Sequence, residues 1–209
     1  MSEAPRTLVA TFGFDIDFVI RRLSSGNYSG AILLSLRTEE GRSRVEKAFS
    51  SVRQYCVALR KECELAWLEP QGLLRSVYSV LSDAASKGEV DLYLTGGPRA
   101  LVVSALLAAL MLDGERIGRV RVVVEGEAFD YSWEASASVL RNMLELDHRS
   151  RRLLMTLAAQ GRATLAEVSR ATGLPRATAF RRLKELADAG LVCSGDGEYF
   201  LCPEAQKVL

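Results

Sequence analysis

The sequence predicts an α/β chain: a mostly parallel sheet sandwiched by helices, followed by a small helical module that closes on a β-hairpin. Three observations carry this. Over roughly the first 133 residues, short apolar β-branched runs alternate with segments of helical period, as crossover-connected parallel strands require. From Asp147 onward the order becomes helix, short helix, helix and paired strands. The charge shifts with it: residues 147–209 carry 10 Lys and Arg against 7 Asp and Glu, although the 209-residue chain as a whole has a net charge of only +1.

Hydrophobic residues make up 48% and charged residues 25%, enough to build a core and too apolar for a disordered chain. The near-neutral balance excludes a uniformly basic nucleic-acid coat. The longest uncharged apolar run, Ala100 to Leu112, is shorter than the roughly 20 residues a bilayer span needs, so no membrane partner is expected. Met1 to Arg6 shows no basic stretch leading into an apolar one, and a cytoplasmic protein is the expectation.

Thr7 to Phe12 is a short apolar strand ending at Gly13. Asp15 to Leu23 reads as a helix with Ile16, Val19, Ile20 and Leu23 on one face. Ala31 to Leu36 is continuously apolar, as a strand covered on both faces should be. Glu39 to Glu62 suits a long helix, Cys63 to Leu68 a strand, Leu73 to Ser86 a helix and Val90 to Thr95 a strand. Pro98 to Leu112 is so apolar that burial on most sides is expected. Arg119 to Glu125 and Glu127 to Trp133 form a closing hairpin around Gly126, or one bulged strand. Glu134 to Leu146 reads as a linking helix, packed on its own domain or paired across a two-fold axis.

In such a sheet the ligand crevice opens at the carboxyl ends of the strands, where strand order reverses. The usual order brings the first and fourth strands together there, so the loops Phe12-Gly-Phe-Asp15 and Thr95-Gly-Gly-Pro-Arg99 should meet. Gly96 and Gly97 let backbone N–H groups approach an anion, and Gly13 allows a sharp exit from the first strand. The helix that starts at Pro98 directs its positive end at the crevice. Arg99 adds a planar cation for phosphate or base, and Phe14 an aromatic face, unless Phe14 is a core residue. No G-x-G-x-x-G follows the first strand and no Walker A loop is present.

In the basic part, Asp147 caps a helix from Arg149 to Gln160, and Thr164 with Glu167 forms a capping box for a short helix. Thr172-Gly-Leu174 is a turn, and Pro175 opens a helix that runs to about Ala189. Two strands then flank Gly195-Asp-Gly197. This order resembles a winged helix-turn-helix over about residues 149–203. The likeness implies that Arg176, Ala177, Thr178, Arg181 and Arg182 face double-stranded DNA near the start of the reading helix, with Lys184 on phosphate. Phe180 meets a thymine methyl or folds into the core. The alternative use of such a module is protein contact, and the acid-free cationic run argues against it.

The four cysteines, Cys56, Cys63, Cys193 and Cys202, contain no C-x-x-C pair, and His148 is the single histidine, so no metal site is expected. Buried single thiols are the expectation, with a Cys193–Cys202 bridge across the hairpin as the alternative.

The two halves together resemble the CRISPR-associated transcriptional regulators that join an N-terminal CARF domain, a Rossmann-like fold, to a C-terminal winged helix. Thr11-Phe-Gly-Phe-Asp15 and Leu94-Thr-Gly-Gly-Pro-Arg99 carry the likeness. It implies a ligand-sensing domain over 1–133, a linker helix over 134–146 and a DNA-binding domain over 147–209. It also implies a homodimer whose merged crevices take a cyclic oligoadenylate, tetra-adenylate favoured, with Gly13, Phe14, Thr95, Gly96, Gly97 and Arg99 at the site. The ligand regulates and is not a cofactor. Control of CRISPR-related genes is implied. A different metabolite, or cleavage of the ring, are the alternatives. No dedicated acid–base pair stands out, and the chain is expected not to be an enzyme.

Overall fold

The computed structural model describes residues 6–126 and 131–209. They form two compact units that divide between Ala137 and Ser138.

The first unit alternates β1 (Arg6–Thr11), α1 (Asp17–Ser25), β2 (Tyr28–Leu36), α2 (Glu39–Ala58), β3 (Glu62–Leu68), α3 (Leu73–Lys87), β4 (Val90–Tyr93), α4 (Arg99–Met111), the short α5 (Gly114–Gly118), β5 (Val120–Glu125) and β6 (Ser132–Ser136). Its sheet runs β3-β2-β1-β4-β5-β6. The first five strands are parallel, and β6 returns antiparallel to β5. Strand order therefore reverses between β1 and β4, where the two glycine-bearing loops were expected to meet. Part of the Glu127–Trp133 strand lies outside the described residues. The residues at Glu134 to Ser136, read from sequence as helix, complete β6 instead, because they pair with Arg121 to Val123.

Alternation along each parallel strand sends neighbours to opposite faces, and both faces are apolar. Leu8, Ala10 and Leu33 pack with Phe18, Val19 and Leu23 of α1 and Val45, Val52 and Cys56 of α2. On the other side α3 packs along α4, burying Val77, Leu81, Leu101 and Ala105. The long helix predicted to Glu62 stops at Ala58. The chain there turns left-handed at Arg60 (φ 55°), and the Lys61 N–H donates back to the Cys56 carbonyl. Cys56 and Cys63 are joined by a disulfide across that turn.

The second core is built by α6 (Ala137–Leu144), α7 (His148–Gln160), β7 (Arg162–Thr164), α8 (Leu165–Thr172), α9 (Arg176–Asp188), β8 (Val192–Gly195), β9 (Glu198–Leu201) and α10 (Pro203–Val208). The strands form an antiparallel sheet, β7-β9-β8. Leu153, Leu154 and Leu157 of α7, Val168 of α8, and Ala179, Leu183 and Leu186 of α9 share one apolar cluster, which Val139 and Met143 of α6 join. The capping box at α8 is present: Thr164 Oγ1 accepts from the Glu167 N–H, and Glu167 accepts from the Thr164 N–H. A second disulfide, Cys193–Cys202, closes the hairpin. The expectation of single buried thiols is thus corrected at all four cysteines. For Cys193 and Cys202 the hairpin geometry brings the Cα atoms within 5.0 Å.

Candidate functional site

At the β1/β4 reversal the two loops touch backbone to backbone. Gly97 adopts φ 82° and packs so tightly that a Cβ there would lie 3.0 Å from the Phe12 carbonyl oxygen. A Cβ on Gly13 would come within 3.2 Å of the Gly97 Cα, and one on Gly96 within 3.0 Å of the Thr11 carbonyl oxygen. The three glycines let the loops approach this closely, and Gly97 also needs glycine for its positive φ, before any ligand is considered. Gly13, Phe14, Gly97 and Pro98 line a cleft of about 290 Å³. Asp15 of the first loop adds a carboxylate to the wall, and the rest comes from the end of β2 and the start of α2, through Ser35, Thr38 and Gly41. Sequence reasoning looked only at the first and fourth strands and missed this third loop. The predicted strand order would have found it, since β2 borders β1.

Phe14 is 69% exposed. It stands exposed at the cleft that it helps line. Arg99 opens α4 and is exposed. It makes no ion pair with any described residue, unlike Arg6, Arg21, Arg22, Arg37 and Arg121 of the same unit. Thr95 is set differently. Its hydroxyl accepts from the Glu125 N–H at 3.2 Å, which ties the β4 loop to the end of β5.

Beside Thr95 lies a polar network that the sequence did not signal. The Asp91 side chain is 0% exposed. It accepts from Arg121 Nε at 3.0 Å and Nη2 at 2.8 Å, from Tyr28 Oη at 2.6 Å and from Arg22 Nη2 at 3.1 Å. Burial pushes the Asp91 carboxyl up, but these donors outweigh it and hold it below its ordinary value. Burial and the bond to Asp91 push the Tyr28 phenol far up. Tyr93 donates to Glu125 at 2.8 Å, and its phenol is likewise raised, by burial first. Arg22 also stands 3.6 Å from Glu125. One arginine on α1 thus spans two carboxylates on β4 and β5, fixing the helix that follows Phe14 against the strands that carry Thr95.

The outward face of α4 contradicts its expected burial on most sides. Val103, Leu107 and Met111 are exposed at successive turns. Ala105, Ala108 and Ala109 face inward. The stripe begins one turn after Arg99.

In the second unit, α9 presents Arg176, Ala177, Phe180, Arg181 and Lys184 to solvent. Arg181 carries a loose pair with Glu185 at 3.8 Å, both exposed. Phe180, left undecided by the sequence, is 51% exposed. Thr178 is half-buried. Arg182 is a correction. Its side chain is only 14% exposed and donates to Asp147 Oδ2 at 2.6 Å and Ser150 Oγ at 2.8 Å. It ties α9 to the start of α7 and leaves the set of cations expected to face DNA. Hydrogen bonds from the Ser150 N–H, and then from Arg182, hold the Asp147 carboxyl down to about 2.

Residues 6–134 match the model of the Csa3 CRISPR-associated Rossmann-like domain. Residues 148–193 match the IclR helix-turn-helix domain. A Csa3 protein of Thermoproteus tenax, named for a CRISPR locus and for DNA binding, is 30% identical over 201 residues, which span 92% of this chain and 90% of that one. The chain belongs to the Csa3 family. It has the family's two parts, a Rossmann-like domain and a helix-turn-helix domain, in the architecture of a CRISPR-associated DNA-binding regulator. The fold of this Csa3-family chain also matches a solved structure of Can2 from Sulfobacillus thermosulfidooxidans in complex with cyclic tetra-adenylate, at a TM-score of 0.45 and 12% identity. The chain spans 62% of that protein's length, and the match covers 97% of the chain. The expectation that the chain is not an enzyme is not kept. Among the described residues no helix is long and apolar enough to cross a membrane.

Proposed function

We propose that this Csa3-family chain is a ligand-responsive DNA-binding regulator of CRISPR-related genes. Its crevice takes a cyclic oligoadenylate, with the four-membered ring favoured, and its helix-turn-helix domain takes duplex DNA. The observation that carries the ligand half is an exposed Phe14 on a glycine-built cleft, with Arg99, exposed and in no ion pair with a described residue, next in sequence to Pro98 of the cleft wall. An aromatic face suits a purine and a guanidinium suits a phosphodiester. The cleft's volume, about 290 Å³, is too small for a whole oligonucleotide ring, so one copy would hold only part of it.

That shortfall supports a homodimer with a shared site. The apolar stripe Val103–Leu107–Met111 is continuous with Arg99 along α4. A second copy laid on this stripe about a two-fold axis sets the two Arg99 residues on either side of that axis. A ligand with two-fold symmetry then meets the same contacts twice. Isothermal titration calorimetry with cyclic tetra-adenylate tests the reading on wild type and on Arg99→Ala. The expected result is one ring per two chains in wild type and a loss of at least tenfold in the variant. Undiminished binding by Arg99→Ala overturns the site. Chromatographic analysis of the same mixture for linear product tells binding from cleavage.

A further inference from the structure

The cationic surface of the second unit is not confined to α9. α7 opens with His148-Arg-Ser-Arg-Arg152, and its first turn contains no acid. Ser150 faces inward, so His148, Arg149, Arg151 and Arg152 are all exposed. Arg149, Arg151 and Arg152 make no ion pair with a described residue, and Arg151 donates only to the Leu146 carbonyl at 3.3 Å. The nearest acids are engaged elsewhere: Asp147 by Ser150 and Arg182, Glu145 by Arg141. Three arginines at the positive end of a helix repel its dipole as well as one another. A local conflict of this kind persists where a partner relieves it.

The Arg182 anchor says where this surface lies. Its bonds to Asp147 and Ser150 hold the first turn of α7 against the flank of α9, on the side that Thr178 and Arg182 share. The exposed Arg181 is the next residue outward. Arg149 and Arg151 flank Ser150 in sequence, so the basic turn of α7 begins one residue from its contact with α9.

We propose that the basic turn of α7 is a second phosphate-gripping surface, which takes the backbone of the duplex whose bases α9 reads. It rests on the DNA-binding reading of α9 and extends it. Contacts to phosphate position a protein and add affinity without sequence preference. Arg149 and Arg152 are the assigned contacts, since neither side chain has a partner among the described residues.

Fluorescence anisotropy with an arbitrary labelled duplex of about 30 base pairs, titrated across a range of KCl, tests this on the full chain. Each phosphate contact contributes about 0.9 to the slope of log affinity against log salt. Arg149→Ala/Arg152→Ala should lower that slope by about 1.8, with a melting temperature that does not fall, because both side chains are exposed and their repulsion of the helix dipole goes with them. Arg149→Lys/Arg152→Lys should restore most of the slope, since a point charge suffices to release a counterion. A double alanine variant with wild-type slope, beside an Arg181→Ala variant whose slope falls, overturns the α7 surface and leaves the α9 reading standing. Wild-type protein that binds no duplex at low salt overturns both.

Discussion

Replacing Gly97 with alanine tests whether the crevice is built by backbone contact. The residue stands at φ 82°, and a Cβ would meet the Phe12 carbonyl oxygen at 3.0 Å and its C and N atoms at 3.1 Å. Left-handed backbone costs a residue with a Cβ about 1–2 kcal/mol. The clash adds to this, because the atoms in the way are main chain at the end of a central strand and cannot rotate aside. Forced shifts of packed structure cost about 1–3 kcal/mol, so the total is about 2–5 kcal/mol out of the 5–15 typical of a folded domain. Gly72→Ala supplies the control: its φ is 70°, but nothing lies within 4 Å of the added carbon. It should lose only the strain. Urea unfolding followed by tryptophan fluorescence reads the right part of the molecule, because both tryptophans, Trp67 and Trp133, belong to the first unit. Gly97→Ala is expected to lose about 1–3 kcal/mol more than Gly72→Ala, with m unchanged. Equal losses would show that the two loops do not need to touch, and the account of the cleft would fail with them.

Three other outcomes follow from particular contacts. The Asp91 carboxyl is held below its ordinary value in the folded chain, so its contribution is complete above the unfolded value of about 3.9 and drains away as pH falls through the folded one; urea unfolding on the acid side should show that limb in wild type and a flatter one in Asp91→Asn. Each disulfide closes a short loop, with a sequence separation of 7 for Cys56–Cys63 and 9 for Cys193–Cys202, worth about 2.5 kcal/mol apiece by chain entropy; Cys56→Ser should shift the tryptophan-detected transition and Cys193→Ser should leave it in place. Arg182→Met should lower the stability of the second unit by about 1.5–3 kcal/mol through its two lost bonds, one of them to a carboxylate, and leave the salt slope of duplex binding unchanged, whereas Arg181→Ala should lower the slope by about 0.9 without altering the melting temperature.

Much of the first unit was legible because its signals are local. An apolar run bounded by glycine marks a strand, and the period of α1 and α3 marks their inner faces, so strand order and the meeting of the β1 and β4 loops follow from general rules of α/β connection. Features decided by distant partners were not legible. Asp91 reads as one polar residue in an apolar strand until Arg121, Tyr28 and Arg22, 30, 63 and 69 residues away, close around it. The helix at Glu134 failed for a similar reason. Ser132 to Ser136 has weak intrinsic preference, and pairing with β5 decides it.

The cysteines and Arg182 show where chemistry and periodicity stop. The compartment argument against disulfides treats oxidation as a property of location, but proximity is set by the turn after α2 and by the hairpin register, and each brings a cysteine pair together. Arg182 sits at the edge of the inner face of α9, where the helical period leaves solvent and protein equally accessible. The choice falls to Asp147, 35 residues upstream, whose carboxylate is already fixed as the cap of α7. A capped carboxylate facing a helix flank draws in whichever cation stands there. The cationic run that marked α9 as a reader thus contributes one of its members to domain architecture, and the charge that faces outward is made up by the start of the helix which that arginine holds.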